Sequence, residues 1–245
     1  MDLRNFGRPL LLKNESADFP FSTSATGVMC GVGSARIILT AKHVAFPAET
    51  TSHDHVRRLT TIIDIDVPSG ELVHFSNIHA GDITRGGVPQ VRSDLIALQA
   101  QADQAVRVRN AVPLYSNGSW IGIRLPRVGR RIVTYGYPNW PDRMVIDFDL
   151  RRLNANPVQI FAKLIAWEND NTIGVARVTS IHDRDGHLIS PPMDGFSGSP
   201  VYYEADGMAS FIGIILTAGN GTIRFVQSVV IRDMVRHLEL EPEVI

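Results

Sequence analysis

Ser197 stands between glycines in Gly195-Phe196-Ser197-Gly198-Ser199-Pro200, a setting suited to presenting a hydroxyl to a reacting carbonyl. A serine hydroxyl is a poor nucleophile near neutral pH. It becomes useful when an imidazole takes its proton and a carboxylate orients that imidazole. The chain supplies both groups upstream, in Thr40-Ala41-Lys42-His43 and Asp94-Leu95-Ile96-Ala97-Leu98, giving the order His, Asp, Ser. The chemistry open to this set is acyl transfer. Ser197 would attack, His43 would act as general base and then general acid, and Asp94 would accept from the imidazole Nδ1–H. Gly195 and Gly198 permit a tight turn with no Cβ beside the substrate. The backbone N–H groups of Gly195 and Ser197 would then converge as an oxyanion hole.

Each of these residues also has a plainer reading. A Gly-Ser-Gly stretch is common in surface turns, and a motif needs its context. His43 is one of 8 histidines; the apolar run Ile37-Ile38-Leu39 and the Thr40-Ala41 flank set it apart from the rest. Asp64, Asp66 and Asp82 rival Asp94, but the first two alternate with isoleucine as on the exposed face of a strand, and Asp82 follows Gly81 in a turn. Leu95, Ile96 and Leu98 would anchor Asp94 at a packed surface. The α/β-hydrolase elbow is Gly-x-Ser-x-Gly, which Ser199 breaks. Other signals weigh less. His53-Asp54-His55 lacks the further ligands of a metal site, and Asp183 and Asp185 before Gly186 lack the acidic ladder of a calcium loop. Arg124, Arg127, Arg130 and Arg131 have no interleaved aromatics to suggest nucleic-acid binding. Cys30 lies in an apolar run and reads as a small buried residue.

The elements that must position these groups read as strands. Short runs rich in Val, Ile, Thr and aromatic residues recur between turn formers. In the first half they cover 27–32, 36–40, 59–65, 71–78 and 95–100. Residues 111–126, with Pro113, Asn117-Gly118 and Pro126, read as a connection. The second half offers 131–135, 144–153, 159–167, 172–180, 201–203, 211–217 and 222–230, with a tight turn at Asp185-Gly186. Val229, Val230, Met234, Val235 and Leu238 recur at helical spacing, which predicts a short C-terminal helix.

Taken together, the His43, Asp94 and Ser197 segments resemble the chymotrypsin-like (trypsin-like) serine peptidases, in particular the cysteine-poor bacterial members related to the HtrA peptidases. The matching landmarks are the Thr-Ala-x-His turn at Thr40 to His43, the aspartate opening the apolar run at Asp94, and Gly-x-Ser-Gly-x-Pro at Gly195 to Pro200. Val133-Thr134-Tyr135-Gly136-Tyr137-Pro138 is similar to the strand end that opens the second barrel in that family. The resemblance implies an all-β fold of two six-stranded antiparallel barrels, with the site in the cleft between them and a short C-terminal helix. The expected domains are 15–112, carrying His43 and Asp94, and 113–245, carrying Ser197. The resemblance further implies serine endopeptidase activity on polypeptides held in the cleft by strand addition. Pro191, Asp194, Ile215, Leu216 and Thr217 would line the specificity pocket, with an apolar or a basic P1 side chain both open. Two features depart from the secreted members. Phe196 replaces the aspartate that receives a new N-terminus on zymogen activation, and the paired cysteines are missing.

At 245 residues the chain can bury one large β core or two small barrels. A hydrophobic content of 44% with 20% charged residues is that of an ordinary globular protein. A formal net charge of −1 gives no global field to recruit nucleic acid or anionic membrane. With Cys30 as the single cysteine there is no intramolecular disulfide, which fits a reducing compartment. The early apolar run Pro9-Leu10-Leu11-Leu12 is too short for a signal peptide or a membrane span. The expectation is therefore a cytoplasmic enzyme without metal or cofactor, acting on polypeptide and open to control by a regulatory protein or ligand. A non-hydrolytic peptide-binding module on the same fold and a viral polyprotein-processing protease are the alternatives.

Overall fold

The computed structural model describes residues 3–15, 21–45, 57–62, 72–80, 94–116, 119–120, 124–138, 144–147, 152–190 and 192–238. A 3-10 turn at Leu3–Phe6 leads into β1 (Gly7–Lys13), followed by β2 (Phe21–Val32), β3 (Ala35–Ala41), β4 (Leu59–Ile62), β5 (Leu72–Ala80) and β6 (Leu95–Ala100). These pair in the order β1-β4-β5-β6-β3-β2, and β1 also pairs with β2, so the ring closes as a six-stranded barrel. Closure removes the free edges that would otherwise invite pairing with another chain.

After β6 come β7 (Val112–Ser116) and β8 (Ser119–Trp120), which extend the first sheet, β7 lying parallel to β2. The second half contains β9 (Arg131–Gly136), β10 (Met144–Asp147), β11 (Arg152–Ala155), β12 (Val158–Glu168), β13 (Ile173–His182), β14 (Pro200–Ala205), β15 (Met208–Gly219) and β16 (Thr222–Gln227). β12, β13, β16, β15, β14 and β9 form the second closed barrel, while β10 and β11 pair with each other as a two-stranded sheet. Among the described residues the helices are α1 (Lys42–Ala45), α2 (Ala102–Ala105) and α3 (Ser228–Arg236).

Side-chain periodicity accounts for the packing. Along β12, Val158, Ile160, Ala162 and Leu164 point inward while the residues between them are at least partly exposed, the period of two that a half-buried strand demands. β6 differs, because all six of its residues are buried. One apolar cluster fills the first barrel and continues through Ile214, Leu216 and Val226 to Val230, Ile231, Met234 and Val235 of α3. A second cluster, including Ile160, Phe196, Ile215 and Phe225, fills the interior of the second barrel.

Four expectations need correction. The first barrel begins in β1 at Gly7 rather than at residue 15, because Leu10 and Leu11 are core residues. The connection expected over 111–126 contains β7 and β8. The run 144–153 is two strands, β10 and β11, paired as an antiparallel ribbon. The last strand ends at Gln227 rather than Val230. The β-branched Val229 and Val230 suit a strand, but Ser228–Arg236 buries one apolar face as a helix, and tertiary packing overrides the local preference.

Candidate active site

Strand register brings His43 to Asp94. β3 pairs antiparallel with β6, and the last rung is Ala41↔Leu95. One step further along the ladder sets Lys42 opposite Asp94, and the Lys42 N–H donates to the Asp94 carbonyl at 2.7 Å. The chain then turns into α1, and the His43 N–H donates to Asp94 Oδ1 at 3.1 Å. The imidazole completes the pairing, with Nδ1 3.1 Å from Oδ1 and 3.0 Å from Oδ2. A carboxylate can only accept, so Nδ1 carries the proton and the Nε2 of the neutral ring is left as an acceptor.

Ser197 arrives from the second barrel. The turn 195–199 precedes β14, whose first residue Pro200 pairs with Ile214 of β15. Gly198 N–H donates to Ile215 O at 2.8 Å, Ile215 N–H to Ser199 O at 2.9 Å, and Ser199 N–H to Phe196 O at 3.0 Å. Register slips between Ile215 and Thr217 where β15 pairs with β16. Such irregularities bend a strand and re-aim its groups. Leu216 lies at this point, and its carbonyl is 2.9 Å from Ser197 Oγ. On its other side the hydroxyl meets His43 Nε2 at 3.1 Å. One proton therefore has two acceptors. With neutral His43 it can pass to Nε2; with charged His43 it is held on the Leu216 carbonyl.

Phe196 anchors the turn by packing. Its ring is fully buried in the core of the second barrel. A Cβ added at Gly136 would lie 2.7 Å from Phe196 Cδ1, so the ring packs directly on the backbone of β9. Phe196 is thus an apolar plug beneath the serine turn. Gly195 has φ +86° and Gly198 φ +87°, values that glycine adopts at little cost. Among the described residues, the N–H groups of Gly195 and Ser197 have no hydrogen-bond partner.

The Asp94 hydrogen bond raises the pKa of His43 above its ordinary 6.5; partial burial opposes this, and the charge of the carboxylate adds to it. The His43 side chain is 49% exposed and that of Asp94 28%, so solvent reaches the pair. Cys30 is buried in the first barrel, and burial pushes its thiol far above the usual range, which removes it as a nucleophile.

The residues expected to line a specificity pocket divide. Ile215 is fully buried in the core of the second barrel, so its contribution is the backbone pair that supports the serine turn, not a pocket wall. Leu216 is likewise buried and acts through its carbonyl. Asp194 and Thr217 are exposed. Pro191 lies outside the described residues, as do His53, His55, Asp64, Asp66 and Asp82. Asp183, Asp185 and His187 cluster at a hairpin tip, where the Asp183 carboxylate accepts from the Asp185 and His187 N–H groups at 3.0 and 2.9 Å and closes the turn. Sequence reading missed Thr26, a fully buried threonine whose hydroxyl bonds across to the Gly195 carbonyl, and used Thr40 only as a flank of His43, although its hydroxyl holds the Thr26 carbonyl. The one sequence signal of Thr26 is a polar residue at the edge of an apolar run.

No protein-family model and no curated protein sequence matches the chain. Among solved structures, a thermostable serine protease, AL20, from an extremophilic microorganism superposes with a TM-score of 0.52 at 9% identity, covering 94% of this chain and 95% of that one. The fold is chymotrypsin-like: two closed six-stranded barrels with a small C-terminal helix.

Proposed function

We propose that the chain is a serine endopeptidase. The observation that carries this reading is the unbroken contact from Asp94 through His43 Nδ1 and Nε2 to Ser197 Oγ, at 3.0 and 3.1 Å. Ser197 Oγ attacks the scissile carbonyl carbon as His43 Nε2 takes its proton. The carbonyl π electrons move onto oxygen, and the Gly195 and Ser197 N–H groups stabilise that charge. As the intermediate collapses, the C–N bond breaks and His43 returns the proton to the leaving amine. Water then attacks the acyl-Ser197 ester by the same route, releasing the acid and restoring the hydroxyl. Asp94 stays ionised throughout and stabilises the imidazolium.

The substrate in this reading is an extended polypeptide, and no metal or cofactor is called upon. Asp194 and Thr217 are the exposed candidates for reading the P1 side chain. Kinship with the HtrA-type peptidases, action in the cytoplasm and control by a regulatory protein or ligand belong to the same proposal. The kinship rests on the motifs, the compartment on the single cysteine, and the control on Phe196 standing where the resemblance implies an activation aspartate.

The test is a fluorophosphonate probe followed by peptide mass spectrometry. The expected result is one adduct on Ser197, absent in Ser197→Ala. A folded wild-type protein that takes no adduct between pH 6 and 9 sinks the reading.

The pH dependence follows from His43. Only the neutral imidazole can accept the proton, so kcat/KM should rise with pH through a midpoint above 6.5, the direction in which Asp94 moves it. The same shift has an opposite consequence for stability. The pairing stabilises the folded chain fully below the unfolded-state value of 6.5, and that contribution is lost as pH rises through the folded value. Asp94→Asn should lower the imidazole midpoint measured by NMR titration; an unchanged midpoint would contradict the pairing.

A further inference from the structure

Thr26 of β2 is fully buried and belongs to the first barrel, yet its bonds reach into the second. The Tyr137 N–H, just past β9, donates to Thr26 Oγ1 at 2.8 Å. Oγ1 also lies 3.2 Å from the Gly195 carbonyl. A hydroxyl has one proton and two lone pairs, while a backbone N–H can only donate. The Tyr137 contact therefore occupies a lone pair, and the Thr26 proton is directed at Gly195 O. The Thr26 carbonyl is held in turn by Thr40 Oγ1 at 2.9 Å, from the strand that leads to His43.

We infer that Thr26 is a positioning residue for the oxyanion-stabilising turn, an inference that rests on the peptidase reading above. The peptide it grips, between Gly195 and Phe196, lies between the two N–H donors assigned to the oxyanion. Gly195 has no side chain, has φ +86°, and makes no hydrogen bond through its own N–H among the described residues. Its carbonyl is thus its hydrogen-bonded tether, and Thr26 is the donor. On the other side of the turn, Phe196 is plugged into the barrel core. Together they restrain the residue with the most torsional freedom in the turn. Thr26 touches no reacting atom; it acts by holding Gly195. Through Thr40 the same residue ties the serine turn to the histidine strand, so the two barrels share one reference point.

The experiment compares Thr26→Val, Thr26→Ala and Thr26→Ser by the second-order rate of fluorophosphonate labelling at Ser197, with a thermal melt and an NMR titration of His43. Valine and alanine remove the donor and leave the triad in place. Labelling should slow by about 10–100-fold, less than the 10²–10³-fold that follows outright loss of an oxyanion donor. The His43 midpoint should stay at the wild-type value, and with a peptide substrate the loss should fall on kcat rather than KM. Serine keeps the hydroxyl and should restore the rate. If valine and alanine unfold the chain, Thr26→Cys replaces the hydroxyl with a weak thiol donor and is expected to label slowly. A folded valine, alanine or cysteine variant that labels at the wild-type rate overturns the inference. So does a serine variant as slow as alanine, or a shifted His43 midpoint, which would mean the whole triad had moved. A wild-type protein that does not label overturns the peptidase reading itself, and this inference with it.

Discussion

Ser197→Ala should retain the fold and lower peptide hydrolysis by about 10⁶-fold, the loss seen when the nucleophile or base of a Ser-His-Asp unit is removed. The fold should survive because the side chain contributes only its contacts with the Leu216 carbonyl and His43 Nε2. Losing one such bond costs about 1 kcal/mol. The catalytic loss is far larger because the hydroxyl that meets His43 Nε2 is the attacking group itself. His43→Ala should match it, and the double variant should be no worse than either single one, because the two groups act as a unit. Asp94→Asn should lose about 10⁴-fold, since an amide no longer enforces the Nδ1–H tautomer. Steady-state kinetics on the four variants decides the matter. Additive losses, or a Ser197→Ala protein that still cleaves, would contradict a triad.

Gly198→Ala should be the most damaging single change to the architecture. At φ +87° a side chain is strained in its own right, by about 1–2 kcal/mol. The larger cost is steric. An added Cβ would sit well inside van der Waals contact of Thr26 O and Thr40 Oγ1, and the first of these is backbone in a barrel strand. Neither can retreat, because Thr40 Oγ1 is itself bonded to Thr26 O. The turn would have to leave the first barrel, breaking the Gly198 N–H bond to Ile215 O and withdrawing Ser197 from His43. A destabilisation above about 4 kcal/mol is expected, in the range reserved for a buried clash. Urea unfolding together with probe labelling measures both effects. A variant with the wild-type midpoint and the wild-type labelling rate would show that the interface is looser than these contacts require.

The legible parts of this protein were those written in local pattern. Alternating apolar residues marked strands such as β12, and the bounds of β6 were read to the residue, because a strand's period of two and its flanking turn formers are properties of a short window. Boundaries failed where two windows competed. Val229 and Val230 favour extension by local preference, but the helix buries Val230 with Ile231, Met234 and Val235 in the first cluster. The run before residue 15 reads in sequence as a mere apolar stretch because a closing strand is defined by its partners, β2 and β4, and those lie elsewhere in the chain.

For the site, the residue types and their order named the chemistry: an alcohol, an imidazole and a carboxylate in flanks that suit each role. Their meeting is a tertiary fact. His43 and Asp94 are joined by the β3–β6 register, a pairing across 51 residues, and Ser197 is brought to them from the other barrel across 154. The contacts that support the site were not legible. Thr26, the Leu216 carbonyl and the Phe196 plug carry no signature, because a hydrogen bond or a close contact belongs to two surfaces that meet only once the barrels have packed. Side-chain chemistry travels with the residue, and its use depends on geometry that only the folded chain supplies.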